Sequence, residues 1–161
     1  MASRKPLVMV NGIPAQLPAG DTLNATASEV DVLGLTNGGA SAAPICSPVY
    51  ISAANTFQLA RANASGTYRA VALIRDASIA AAASGSCQSD GVLTASTAQW
   101  DAVTGQTGGL TTGAQYFLSS TTAGRLTTTA PTTTGEYVLP MGTALSTTDF
   151  EISISPFGIL L

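Results

Sequence analysis

Phe150-Glu151-Ile152-Ser153-Ile154 is the stretch that decides the fold. Apolar and polar residues alternate strictly in it, which is the pattern of a strand with one buried face and one solvated face. Working back toward the N-terminus, similar short segments recur between turn residues. Tyr137 to Met141 carries Pro140, and Arg125 to Thr129 is short and Thr-rich. Tyr116 to Leu118 stops at Ser119-Ser120, and Cys87 to Ala95 runs through Asp90-Gly91. Tyr68 to Ile74 reads as a strand with Tyr68, Ala70, Ala72 and Ile74 on one face. Phe57 to Ala60, Val49 to Ser52 and Val30 to Leu35 complete the series. Nearest the start, Leu7 to Val10 meets Asn11-Gly12, a hairpin signal, and Ile13 to Leu17 returns against it with Pro14 and Pro18 confining it to an edge. Only two segments suit a helix. Ile79 to Ala83 has the propensity but is too short to nucleate alone. Thr97 to Val103 has Ser96 or Thr97 as N-cap and Gly105 as its stop. Strands at this spacing, without alternating helices, predict an all-β sandwich or small barrel.

Composition sets the next bound. The chain has 161 residues, enough for one domain with an arm. A shift near residue 29 divides an extended, Pro-containing N-terminal arm, 1–29, from a β-rich globular domain, 30–161. Only 9% of residues are charged, against roughly 25% in ordinary soluble domains. Thr, Ala, Ser and Gly take their place, giving a surface with few ionic groups to desolvate when a partner covers it. Net charge is −3, and setting aside Arg4 and Lys5 leaves −5 for the rest. No basic stripe offers phosphate neutralisation, so no nucleic-acid partner is expected. No apolar run approaches a membrane span. The run Pro6 to Val10 is too short for a secretory signal, so the chain is expected to be made in the cytoplasm. In that compartment Cys46 and Cys87 are expected as two buried free thiols, although the sequence leaves pairing open.

Residues that carry chemistry are sparse. The chain has no histidine, which removes the usual Ser-His-Asp and Cys-His arrangements and the commonest transition-metal ligand. Gly105-Gln-Thr-Gly-Gly109 lacks the lysine of a phosphate loop and reads as a flexible turn. Asp76, Asp90 and Asp101 are the best-placed carboxylates for acid–base work, but each reads more simply as a strand end, a turn and the exposed side of a short helix. Trp100, the sole tryptophan, reads as a core anchor with Val103 one turn on; a sugar platform or contact hot spot is the other reading. No catalytic residue, cofactor or metal is expected.

The two ends of the sequence stand out more. Leu7, Val8, Met9 and Val10 form an apolar, β-prone segment just after Arg4 and Lys5. Pro156-Phe-Gly-Ile-Leu-Leu161 is apolar and bears no charged side chain. Such segments either dock on their own chain or form contacts with another one. Arg4, Lys5, Leu7, Val8, Met9, Val10, Phe157, Ile159, Leu160 and Leu161 are therefore the expected contact residues, with strand addition to a neighbour as the mode.

Several stretches carry a resemblance. Met1-Ala-Ser-Arg-Lys-Pro-Leu-Val-Met-Val-Asn-Gly12, Ser84-Gly-Ser-Cys-Gln-Ser-Asp-Gly-Val-Leu93, Thr97-Ala-Gln-Trp-Asp-Ala-Val-Thr-Gly105 and Gly142-Thr-Ala-Leu-Ser146 followed by Phe150-Glu-Ile-Ser153 resemble bacteriophage virion structural proteins of the capsid decoration (cement) and head-fibre type. The resemblance implies a small β-barrel or β-tulip-like sandwich, often a homotrimer, whose arm attaches it to the particle. It implies the major capsid protein as partner, the capsid surface of the virion as location and a shell-stabilising role. A receptor-binding or adaptor module of a tail or head fibre is the alternative, and it would expose Trp100 and several tyrosines in one groove.

Overall fold

The computed structural model describes residues 32–161 and, ahead of them, the backbone of two short strands. These two, β1 (Leu7–Val10) and β2 (Ile13–Gln16), pair antiparallel with Val10 opposite Ile13 and Met9 opposite Pro14. Arg4, Lys5 and the rest of the arm lie outside the described residues.

The next strands build a closed barrel. They are β3 (Val32–Asn37), β5 (Pro48–Ala53), β6 (Thr56–Leu59), β7 (Ala72–Ile74) and β9 (Ser84–Gln88), in the order β3-β6-β5-β7-β9. All ladders are antiparallel except β3 with β6. A short pair, β4 (Ala43–Pro44) with β8 (Ser78–Ile79), lies outside that ring. The chain leaves the barrel at Asp90 and enters a second sheet through β10 (Gly91–Thr94). After the helix α1 (Thr97–Thr104) come β11 (Gln115–Leu118), β12 (Leu126–Thr127), β14 (Pro140–Ala144) and β15 (Asp149–Ile152), in the sheet order β10-β15-β14-β11-β12. Between and after them, β13 (Tyr137–Val138) pairs with β16 (Ile159–Leu160) as a separate two-stranded sheet. The described residues are thus all-β with one short helix, as the turn spacing predicted.

Two apolar clusters fill it. Leu35, Val49, Phe57, Ala72, Ile74, Ile79 and Cys87 pack inside the barrel. Trp100, Tyr116, Leu118, Met141, Phe150 and Ile152 centre the second cluster. Leu73 also belongs to the second cluster, while its neighbours Ala72 and Ile74 belong to the first. Side chains alternate across a strand, so β7 is buried on both faces and joins the two cores. Burying a leucine such as this stabilises by about 2 kcal/mol. Phe150 and Ile152 face inward and Glu151 outward, as the opening pentapeptide predicted.

Several local expectations are corrected. The strand expected over Tyr68 to Ile74 covers only its last three residues, and Ala70 packs into the second cluster rather than beside Ile74. Cys87 to Ala95 is two strands of different sheets, broken at Ser89-Asp90. Ile79 to Ala83 is not helical. The Asn37 amide donates to the Ile79 carbonyl at 2.9 Å, and Ala82 N–H donates to the Asn37 carbonyl at 2.9 Å. The buried Ile79 side chain packs into the barrel's apolar cluster. Those tertiary bonds outweigh a helix propensity spread over only five residues. The other helix forms where its caps place it: Ser96 and Gln99 make a reciprocal capping box, and Gly105 ends the helix at φ 72°.

Candidate functional site

The most unusual surface is built by β13, β16 and the residues before β16. Leu161 N–H donates to the Glu136 carbonyl at 3.0 Å, and Gly135 N–H donates to the Leu161 carbonyl at 2.9 Å. The stretch therefore docks on its own chain through its backbone. Its side chains do not dock: Phe157 is 81% exposed, Ile159 65%, Leu160 60% and Leu161 40%. Successive residues of a strand point to opposite faces. Ile159 and Leu160 are both exposed, so neither face of β16 covers a core.

Beneath this strand Tyr68 and Tyr137 stack at 3.9 Å between ring centroids, with 2° between their planes. Gly158 lies against that stack, so close that a Cβ there would sit 2.6 Å from the Tyr68 ring. Only glycine lets the backbone pass at that height. The Arg69 guanidinium lies 5.7 Å from the Tyr68 ring centroid, over its face. A groove of about 530 Å³ opens beside it, lined by residues including Tyr68, Arg69, Val71, Leu139, Ile154 and Phe157. No local signal in the sequence marks this platform. Tyr68 and Tyr137 are far apart in the chain, and Tyr68 reads from spacing as a strand residue.

Of the expected contact residues, Phe157, Ile159, Leu160 and Leu161 are the exposed apolar side chains of this segment. Leu7, Val8, Met9 and Val10 form β1, while their side chains, with Arg4 and Lys5, lie outside the described residues.

The carboxylates weighed for catalysis hold backbone. Asp76 accepts from Ser86 N–H at 2.8 Å. Asp101 accepts from Gly108 N–H at 3.1 Å and Gly109 N–H at 2.7 Å, so the glycine-rich turn after α1 is pinned rather than free. Asp90 sits exposed in the turn before Gly91. Hydrogen bonds from Thr94, then Ser146 and Thr148, hold the Asp149 carboxyl below its ordinary value. Trp100 is fully buried, and its indole N–H donates to the Thr148 carbonyl at 2.9 Å. Its ring meets Phe150 at 5.5 Å, and Phe150 meets Tyr116 edge-on at 5.8 Å. Both cysteines are free and buried in different clusters. Burial pushes the Cys46 thiol up to about 12. Burial, helped by the negative charge of Asp76, pushes Cys87 up to about 11.

A second concavity, of about 410 Å³, is lined by hydroxyls such as those of Thr104, Ser119, Thr122 and Thr127, with Arg125 and Glu136. Thr129, Thr132 and Thr133 form a further part of its wall. Among the described residues, no group of three Cys, Asp or Glu side chains is placed to hold a metal ion, and no helix is long and apolar enough to cross a membrane. Comparison with family models, with curated proteins and with solved structures gives no match.

Proposed function

We propose that this chain is a non-catalytic capsid decoration protein of a bacteriophage particle. It binds the outer surface of the assembled head as a homotrimer, with the major capsid protein and other copies of itself as partners. The observation that carries this reading is the exposed apolar segment with Phe157, Ile159 and Leu160 on a chain with so few charges. An apolar surface of this kind marks a contact. The resemblance over the arm, the α1 region and the β14–β15 region gives the kind of assembly. The mechanism is mass action: a protein that binds the closed shell but not its dispersed subunits stabilises the shell.

The fibre-module alternative draws less support. Trp100 and Tyr116 are fully buried, and the groove beside Arg69 takes Tyr68 but not Trp100 into its wall. Counting copies in purified particles by quantitative mass spectrometry separates the two. Decoration predicts hundreds of copies per particle; a few to a few tens would place the chain in the tail or collar and overturn the proposal.

A further inference from the structure

The strand β16 has one open edge among the described residues, since its only ladder partner is β13. Leu161 bonds toward β13, and Val138 is paired with Ile159. Antiparallel ladders alternate. The N–H and C=O groups of Leu160, between Ile159 and Leu161, therefore point away from β13.

The hairpin β1–β2 offers the matching half. Val10 and Ile13 flank a two-residue connection, so they exchange both of their bonds and Met9 opposite Pro14 does not. The N–H and C=O groups of Leu7 and Met9 then point away from β2. Pro14 has no N–H to offer on the outer side of β2, so β1 carries the competent edge. A two-stranded hairpin is marginal on its own and gains from a third strand. Within one chain β1–β2 and β13–β16 are separate sheets.

We infer that β1 of a neighbouring copy adds antiparallel to the open edge of β16, with Leu7 opposite Leu160 and Met9 opposite Gly158. Charge agrees with this direction. Arg4 and Lys5 precede β1 in sequence, and antiparallel pairing brings them past the Leu161 end of β16. Glu136 lies at that end, bonded to Leu161, whereas Arg69 lines the groove at the Phe157 end. A parallel strand would set the basic pair beside Arg69. Each copy supplies one β1 and one β16, so the contact is head-to-tail and closes into a ring at the right rotation. The inference deepens the proposed function, and the two fail separately: this contact is read in solution without shells, the decoration role on shells.

The test is a disulfide trap. Val8 and Ile159 fall opposite each other in this register, at a pair without ladder bonds, where the strands come closest. The double variant Val8→Cys, Ile159→Cys should form covalent multiples of the chain on mild oxidation, reversed by reductant. Neither single variant should, because Cys46 and Cys87 are buried. A monomer closed by an internal disulfide would mean that the arm folds back on its own β16, and no disulfide would mean that the strands do not meet; either result overturns the inference. Met9→Pro removes one outward N–H without altering the described globular body. It should abolish self-association, and assembly equal to the unaltered chain would also overturn the contact.

Discussion

Trp100 shows most directly what single residues do here. Its ring is fully buried against Phe150, and its N–H is satisfied by the Thr148 carbonyl. Trp100→Ala should cost roughly 3–5 kcal/mol in urea unfolding, since it leaves a large cavity. A variant with near-native stability and impaired association would instead make Trp100 a contact residue. The cysteines give a pH prediction with a defined sign. Their folded-state values, about 12 for Cys46 and about 11 for Cys87, lie above the ordinary 9.0. The unfolded chain therefore releases those protons first as pH rises. The stability the neutral thiols contribute is fully present below pH 9 and is lost as pH climbs toward 11 and 12. Thermal melts of the unaltered chain and of a Cys46→Ala, Cys87→Ala variant across pH 8 to 11 check this. The fall in melting temperature above pH 9 should be smaller in the variant.

At the scale of elements, legibility followed how local the cause was. The helix α1 could be read from Ser96 and Gly105 because both caps act within a few residues. Ser96→Ala should cost about 1 kcal/mol and raise amide exchange in the first turn of α1. Equal exchange in both proteins would show that packing of Trp100 alone holds the helix. The strand β15 was legible because its alternation reports one buried face. In contrast, β7 was not delimited correctly, because burial on both faces erases alternation. The alanine tract misled for a related reason: Asn37, distant in sequence, supplies the bonds that set its path. Of the candidate site, the apolar character of Phe157 to Leu161 was legible. The Tyr68–Tyr137 stack under Gly158 was not, since nothing near either tyrosine encodes the other.

For the whole molecule, two sheets share one apolar cluster while a short strand stays apolar, exposed and open along one edge. A chain with few charged groups resists neither self-association nor coverage by a larger surface. The central claim is that an assembled shell is that surface. Binding of the purified chain to undecorated heads tests it most directly, followed by cosedimentation and by the temperature at which the heads release DNA. Decoration predicts saturable binding to assembled heads, no binding to dispersed capsid subunits and a higher release temperature once the chain is bound. Heads that neither retain the chain nor gain stability from it would contradict the account.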